Sequence, residues 1–121
     1  NEAINLDMVG DKQLVLPIER YSLAYHPELV RYLWDRASDM GLDAFIGRVD
    51  YAIYDDHIPL NEIAGIPSID LIDFKYPNSY ANFWHTMNDV PENCSSESLG
   101  QVGDLMVDYI YNRENQVWGQ N

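Results

Sequence analysis

The sequence predicts an α/β fold, in which helices flank part of a mixed, mostly parallel sheet. Stretches with the period-two alternation of strands recur along the chain, and stretches with helical periodicity lie between them. No repeat, linker or change in composition separates a second domain, and 121 residues are enough to bury one hydrophobic core. We therefore expect the whole chain to belong to a single domain.

Two strands are predicted near the start of the chain. In residues 4–8, apolar side chains alternate with polar ones until Gly10 breaks the pattern. Residues 13–19 predict a second, short strand. Because Pro17 has no N–H to donate, this strand is expected at an edge or to end there.

Residues 26–41 predict the first helix. Pro27 suits the first helical turn, Glu28 complements the helix dipole, and Gly41 is a typical stop. Four apolar residues recur at helical spacing and are expected to face the core. They are Leu29, Leu33, Ala37 and Met40.

The second half of the chain predicts two more strands and a final helix. Residues 48–60 read as a strand that runs into a polar turn, and residues 65–77 as a strongly strand-like segment. The final helix is predicted over residues 95–114, with Ser95 or Ser96 as its N-cap. Its expected buried face consists of Leu99, Val102, Met106, Tyr109 and Ile110.

The charge balance of the chain is strongly acidic. Twenty Asp and Glu residues against seven Lys and Arg residues give a formal net charge of -13, which repels phosphate backbones and anionic membranes. Nucleic acid is therefore not an expected partner. Either the carboxylates keep the protein soluble, or some of them surround a cation or a cationic amine.

Two further classes of feature are not expected from this sequence. No apolar run approaches the roughly 20 residues of a membrane span. The one cysteine, Cys94, can form neither an internal disulfide nor a thiolate zinc site by itself.

Polar side chains follow three of the predicted strands. Asp7 lies near the end of the first strand, Asp55, Asp56 and His57 follow the third, and His85 follows the fourth. Ligands bind outside the carboxyl ends of strands in open α/β sheets, so these residues are candidates for one site. Taken singly each has a simpler explanation, because a strand-end carboxylate usually finds a hydrogen-bond partner and one imidazole cannot hold zinc.

Three blocks of sequence favour a shared functional site over these simpler explanations. They read "NLDMVGD", "YDDHIPLNEIAGIPSIDLIDF" and "WHTMNDVPENCSSESLGQVGD". In order and spacing they resemble the C-terminal half of the zinc aminopeptidase and glutaminyl cyclase superfamily, family 28 of the metallopeptidases. The resemblance implies an incomplete α/β/α sandwich of the zinc-exopeptidase type, with residues 1–121 as the C-terminal portion of its single catalytic domain.

The resemblance assigns roles to four residues. His85 matches the last zinc ligand of the family, and Trp84 matches a tryptophan that shapes the substrate pocket. Asp7 matches an aspartate that binds a second zinc in aminopeptidases, or that joins a hydrogen-bonded network in cyclases. Asp55 stands where aminopeptidases often have serine, so it favours a cyclase, in which a second carboxylate shares protons with the catalytic one.

Three other polar residues are expected in supporting positions. By the same resemblance, Asp56 and His57 fix a loop, and Asp89 is a hydrogen-bond partner of a metal ligand. The family's first histidine, its metal-binding aspartate and its paired glutamates should precede residue 1. The chain by itself is therefore expected to be inactive and to expose an apolar sheet edge.

The implied function is a zinc-dependent acyltransferase, a glutaminyl cyclase that converts N-terminal glutamine to pyroglutamate with loss of ammonia. Its partners would be peptide or protein N-termini and the N-terminal half of the domain. A zinc aminopeptidase is the alternative, and a non-catalytic fragment or module is a third. The resemblance also implies a periplasmic, cell-envelope or secreted location.

Overall fold

The computed structural model describes the backbone of residues 1–118 and the side chains of residues 1–113. The strands are β1 (Ala3–Asp7), β2 (Leu16–Glu19), β3 (Phe45–Asp50), β4 (Ser68–Ile72), β5 (Pro77–Asn78) and β6 (Ala81–Asn82). The helices are α1 (Arg20–Tyr25), α2 (Pro27–Asp39), α3 (His57–Glu62) and α4 (Ser96–Trp118), with a short 3-10 helix at Pro91–Asn93.

The described strands form three pairs, of which two are parallel and one, β5 with β6, is antiparallel. β1 pairs with β4, and Asp7, the last residue of β1, lies opposite Ile72. β2 pairs with β3, and the register shifts at Pro17, where the missing N–H interrupts the ladder. The start of β2 lies beside the end of β4, where the Val15 N–H donates to Asp73 Oδ2 over 3.2 Å. This arrangement, with helices packed on it, confirms the predicted α/β class.

One edge of the sheet is open in the described part of the chain. There β1 pairs with β4 alone, and Leu6 on β1 is 44% exposed. The other edge of β1, with an exposed leucine nearby, is a surface that another segment can cover.

The core forms where α2 packs on β2 and β3. Leu29, Leu33 and Ala37 are fully buried, as their spacing predicted, and Met40 packs against them. The Trp34 indole packs edge-on against the Phe45 ring at 5.6 Å. Its N–H is 3.0 Å from the Ile46 carbonyl and 3.3 Å from that of Leu16. This one side chain therefore ties α2 to both strands.

Two elements differ from the sequence prediction. The strand expected over residues 48–60 begins earlier and ends at Asp50, and residues 57–62 form α3. Helix α1 was not predicted, because its apolar pattern is too short to show a period. It forms because the Glu19 carboxylate caps it, accepting the N–H groups of Tyr21 and Ser22.

Helix α4 begins as predicted, and part of its predicted buried face is confirmed. Ser95 is the N-cap, since its Oγ accepts the Ser98 N–H over 3.1 Å. Val102 and Leu105 are buried, whereas Leu99 is 52% and Ile110 64% exposed. The predicted buried face was therefore wrong at Leu99 and Ile110, whereas Met106 and Tyr109 pack against the core as predicted.

The long loop after β4 is anchored to the loop after β1. The Ser95 N–H donates to the Gly10 carbonyl over 2.9 Å, and the Lys12 N–H to the Asn93 carbonyl over 3.0 Å. The Ser98 hydroxyl donates to the Asp11 carbonyl over 2.6 Å. These bonds hold the segment that carries residues 84 and 85 close to the end of β1.

Candidate functional site

A cavity of about 430 Å³ opens at the carboxyl ends of β1 and β4. It is lined by Asp7, Met8, Ala52, Ile53, Tyr54, Asp55, Ile72, Phe74, Trp84 and His85. Four of the residues singled out in the sequence meet there, namely Asp7, Asp55, Trp84 and His85. The expected convergence of three chain segments at one end of the sheet is thus observed.

Two residues on the cavity wall have left-handed backbone conformations. Met8 has φ 55° and His85 has φ 58°. Each costs about 1 kcal/mol for a residue with a Cβ atom. Such strain is kept where it directs a side chain, and here it turns both segments towards the same cavity.

The aromatic wall of the cavity is built from stacked rings. The His85 imidazole stacks on Trp84 with ring centroids 3.9 Å apart and an interplanar angle of 21°. On its other side, Trp84 tilts against Phe74 at 5.4 Å. Trp84 is 40% exposed, so it forms part of the wall and is not a buried plug beneath the loop.

Asn5 connects two carboxyl groups behind this wall. Its Nδ2 donates to Asp55 Oδ2 over 3.2 Å and to Asp70 Oδ1 over 3.1 Å. Asp70 is fully buried within β4. Asn5 on β1 thus holds the loop residue Asp55 beside the strand residue Asp70.

The three carboxyl groups here hold protons with different strength. Burial, together with Asp55, raises the pKa of Asp70 to about 9 and that of Asp7 to about 6. Burial also opposes ionisation of Asp55, but hydrogen bonds from Asp70 and from the Asp56 N–H outweigh it and lower the pKa of Asp55. At neutral pH, Asp70 therefore keeps its proton beside an ionised Asp55, and the pKa of Asp7 lies between those of its two neighbours.

His57 extends this network into the core. Its ring is fully buried, with Nε2 2.8 Å from Glu19 Oε1 and Nδ1 3.8 Å from Asp70 Oδ2. Among the described residues, neither His57 Nδ1 nor Asp70 Oδ2 has a hydrogen-bond partner. His57 thus ties the first turn of α3 to the end of β2, and its role in fixing the loop stays a prediction.

Asp56 and Asp89 lie outside the cavity. The Asp56 side chain is exposed and does not cap α3, although its N–H donates to Asp55 Oδ1 over 2.8 Å. Asp89 lines a smaller cavity of about 140 Å³ that shares Trp84 with the larger one. Asp89 as a hydrogen-bond partner of a metal ligand therefore stays a prediction.

The cavity offers part of a zinc-binding site. Within the described part of the chain, no group of three or more His, Cys, Asp and Glu side chains is arranged to hold a metal ion. The His85 imidazole and the Asp7 carboxylate border the same cavity, and both are donors that zinc accepts. They fit the metal as a partial set, because zinc in proteins takes three or four ligands.

Asn5 and Asp70 were not singled out in the sequence. A detectable signal existed for Asp70, because an acidic residue at the centre of the apolar strand "SIDLI" is expected to be buried and therefore partnered. Asn5 carried no comparable signal, since it occupies an ordinary polar position in the alternation of β1.

Comparison with known proteins identifies the family. The sequence profile of peptidase family M28 matches residues 1–110. The chain belongs to peptidase family M28. Among curated protein sequences, no relative matches.

Solved structures of similar proteins share the fold and 34–36% of the residues. A glutaminyl cyclase from Porphyromonas gingivalis is 34% identical with a TM-score of 0.85, over 93% of this chain and 42% of that one. A Zn-dependent exopeptidase from Parabacteroides distasonis is 36% identical with a TM-score of 0.84, over 92% and 39%. A leucine aminopeptidase precursor from Bacteroides thetaiotaomicron is 34% identical with a TM-score of 0.83, over 92% and 37%.

The M28 chain described here spans about two fifths of the length of these proteins. Its α/β architecture is that of the zinc exopeptidases and glutaminyl cyclases that it matches. In the described residues, no helix has both the length and the apolar character that crossing a membrane requires.

Proposed function

We propose that the full-length protein containing this chain is a zinc-dependent glutaminyl cyclase, an acyltransferase that acts on peptide or protein N-termini. It converts an N-terminal glutamine to pyroglutamate and releases ammonia. The observation that carries this proposal is the position of Asp55 at the cavity, where Asn5 holds its carboxylate beside the buried Asp70, whose pKa is raised while that of Asp55 is lowered. Such a pair stores and moves a proton, which cyclisation requires.

The reaction is an internal amide exchange. The α-amine nitrogen of the substrate bonds to the side-chain amide carbon, and the bond from that carbon to the amide nitrogen breaks. One proton leaves the amine, and one proton reaches the departing nitrogen, so that ammonia is released. No water enters the product, which distinguishes this chemistry from peptide hydrolysis.

The residues of this chain have distinct parts in that scheme. Asp7 and Asp55 tune the acid-base group that moves the proton, because their negative charges raise the proton affinity of a neighbouring carboxylate. Trp84 and Phe74 enclose the glutamine side chain with apolar ring faces. His85 and, in a two-metal site, Asp7 would hold zinc. Bound zinc supplies a Lewis acid for the amide carbonyl.

Similarity to glutaminyl cyclases also supports this proposal. Glutaminyl cyclases from Porphyromonas gingivalis and Bacteroides thetaiotaomicron match with TM-scores of 0.85, at 34% and 32% identity. Their shared chemistry is consistent with the carboxyl network around Asp55.

A zinc aminopeptidase is the second candidate. It is supported by the fact that Asp7 and His85 border one cavity, since Asp7 would be a metal ligand in a two-zinc site. The leucine aminopeptidase precursor from Bacteroides thetaiotaomicron is also 34% identical. In that reaction a water would attack the first peptide bond, and the carboxylates would hold the substrate amine.

One experiment separates the two. The full-length protein, loaded with zinc, is incubated with two peptides that differ only in having glutamine or leucine at the N-terminus, and the products are read by mass spectrometry. Loss of ammonia from the glutamine peptide alone establishes the cyclase. Removal of the first residue from either peptide establishes the aminopeptidase and overturns the proposal.

A further inference from the structure

A second cavity lies back to back with the candidate site. It measures about 280 Å³, and its wall includes Tyr51, Asp73 and Lys75. Along the segment that continues β4, Ile72 and Phe74 border the candidate site, whereas Asp73 and Lys75 border this second cavity. One stretch of chain therefore forms a wall that the two cavities share.

The shared wall is fixed by one hydroxyl group. The Tyr51 hydroxyl donates to the Ile72 carbonyl over 2.6 Å and accepts the Phe74 N–H over 3.1 Å. Its ring packs on Phe74 at 5.9 Å. The second cavity therefore has a rigid floor, and a ligand bound there does not need to order this segment first.

The mouth of the second cavity carries an excess of positive charge. Arg48 and Lys75 both approach Asp50, at 3.5 Å and 3.1 Å, so two cations share one carboxylate. By contrast, Arg36 is held by both oxygens of Asp108, at 2.7 Å and 3.0 Å. An unbalanced cationic pair is notable in a chain with a net charge of -13.

Asp73 does not cancel that charge. It is buried at 2% exposure, and burial together with the neighbouring Asp11 raises its pKa to about 8. At neutral pH this carboxyl group is mostly protonated, so it does not repel an anion. Its Oδ2 is already occupied by the Val15 N–H.

We propose that this cavity binds a small ligand that carries a carboxylate. The Arg48 guanidinium can hold both oxygens of a carboxylate in a fork, and Lys75 supplies a second point charge. The apolar part of the ligand would lie against Pro17, Pro77 and the Tyr51 ring. The carboxylate can belong to a free organic acid or to an acidic residue of a peptide. The site does not depend on which reaction the neighbouring cavity catalyses.

Calorimetric titration of the full-length protein tests this with a matched pair of probes. Succinate carries two carboxylates, and succinamide has nearly the same shape without charge. We expect succinate to bind with a dissociation constant of about 1 mM and succinamide to give no signal. A blocked tripeptide with a central glutamate, titrated beside succinate, shows whether a peptide or a free acid is the better source of the carboxylate.

Variants locate the binding. Arg48→Gln and Lys75→Gln should each weaken succinate binding about fivefold, the effect of losing one exposed charge contact. Asp50→Asn should strengthen binding, because it removes the carboxylate that competes for both cations. Arg31→Gln, on an exposed position of α2 outside the cavity, is the control and should leave binding unchanged.

Three results would overturn the proposal. They are the absence of a signal with both succinate and the glutamate tripeptide, equal binding of succinate and succinamide, and a loss in Arg31→Gln as large as in Arg48→Gln, which would indicate attraction by overall charge. Thermal melting of each variant shows that it is folded. The expected gain in succinate affinity of Asp50→Asn cannot be produced by partial unfolding, so this variant keeps the test decisive.

Discussion

Nε2 of His57 lies 2.8 Å from Oε1 of Glu19, and both side chains are completely buried. The same carboxylate accepts the N–H groups of Tyr21, Ser22 and Ile53 over 2.8 to 3.1 Å. Glu19 therefore joins α1, the segment that leads to Asp55, and the start of α3. This one carboxylate thus connects both ends of the segment that carries Asp55 to the end of β2.

Replacing Glu19 with glutamine should destabilise the full-length protein by about 3 kcal/mol, because it leaves His57 and several N–H groups without a charged acceptor. Burial opposes ionisation of Glu19, but hydrogen bonds from His57 and Ser22 lower its pKa to about 2. A lowered pKa contributes stability above pH 4.5 that disappears as the pH falls towards 2.

Urea unfolding at several pH values measures this effect. The difference between wild type and Glu19→Gln should be full at pH 7 and should shrink below about pH 4. Glu92→Gln, at an exposed position, is the control and should change stability by less than about 0.5 kcal/mol. A Glu19→Gln protein as stable as wild type at pH 7 would contradict the role of this carboxylate.

Asp70→Asn should have the opposite effect to Glu19→Gln. This variant should gain stability relative to wild type as the pH rises. Burial and the neighbouring Asp55 raise the pKa of Asp70 to about 9. A raised carboxyl pKa gives stability that is complete below about pH 4 and is lost as the pH rises towards 9. Asparagine keeps a donor for Asp55 but cannot ionise, so the variant should melt at the same temperature as wild type at pH 4 and higher at pH 9.

Melting temperatures of the zinc-saturated protein from pH 4 to 9 give the readout. Asp104→Asn, an exposed carboxylate on α4, should follow the wild-type curve. Parallel curves for Asp70→Asn and wild type would mean that Asp70 is ionised in the folded protein, and the proton would then not lie between Asp70 and Asp55.

Asp55→Asn should lower kcat about 100-fold or more and change KM little, because it removes a group that assists proton transfer. Its neighbour Asp56 provides a matched control: it is exposed and does not line the cavity, so Asp56→Asn should keep nearly full activity. Steady-state kinetics on a glutamine peptide measure both. Equal losses in the two variants would indicate a general charge effect in place of a specific carboxyl network.

The sequence was sufficient to predict features that depend on local patterns or on the general geometry of α/β sheets. Periodicity located β1, β4 and α2, and the residues at strand ends converged on one cavity because parallel strands place their carboxyl ends together. Trp84 and His85 are adjacent in the sequence, and their rings stack in the structure. These features depend on contacts between residues close in sequence or on the general geometry of α/β sheets.

Features that depend on distant contacts were missed. Asn5 meets Asp55 and Asp70 across 50 and 65 residues, and no local pattern encodes such a pairing. Helix α1 exists because a buried glutamate caps it. The exposed Leu99 and Ile110 on α4 fit helical periodicity equally well whether they face the core or a partner surface, so periodicity alone could not assign them.

Trp84→Ala should raise KM for a glutamine peptide about tenfold and should affect kcat less, because the ring forms a wall and does not carry protons. Trp84→Phe keeps a ring against Phe74 and should recover most of the loss. Phe83→Ala is the control, since Phe83 packs on Tyr76 and does not line the cavity. A fall in kcat with unchanged KM would instead show that Trp84 acts through His85, on which it stacks.

Residues 1–121 prepared as an isolated chain should bind zinc more weakly than about 1 μM, whereas the full-length protein should bind it tightly. The physical reason is the number of ligands. The cavity offers His85 and Asp7, and two donors cannot match a site of three or four.

In the full-length protein, His85→Ala should abolish tight zinc binding. His26→Ala is the control, because His26 pairs with Glu2 at 2.9 Å and lies outside the cavity. Tight one-to-one binding by the isolated chain in a calorimetric titration would show that these residues form a complete metal site, and Asp7 would then have to be a zinc ligand and not a member of the proton network.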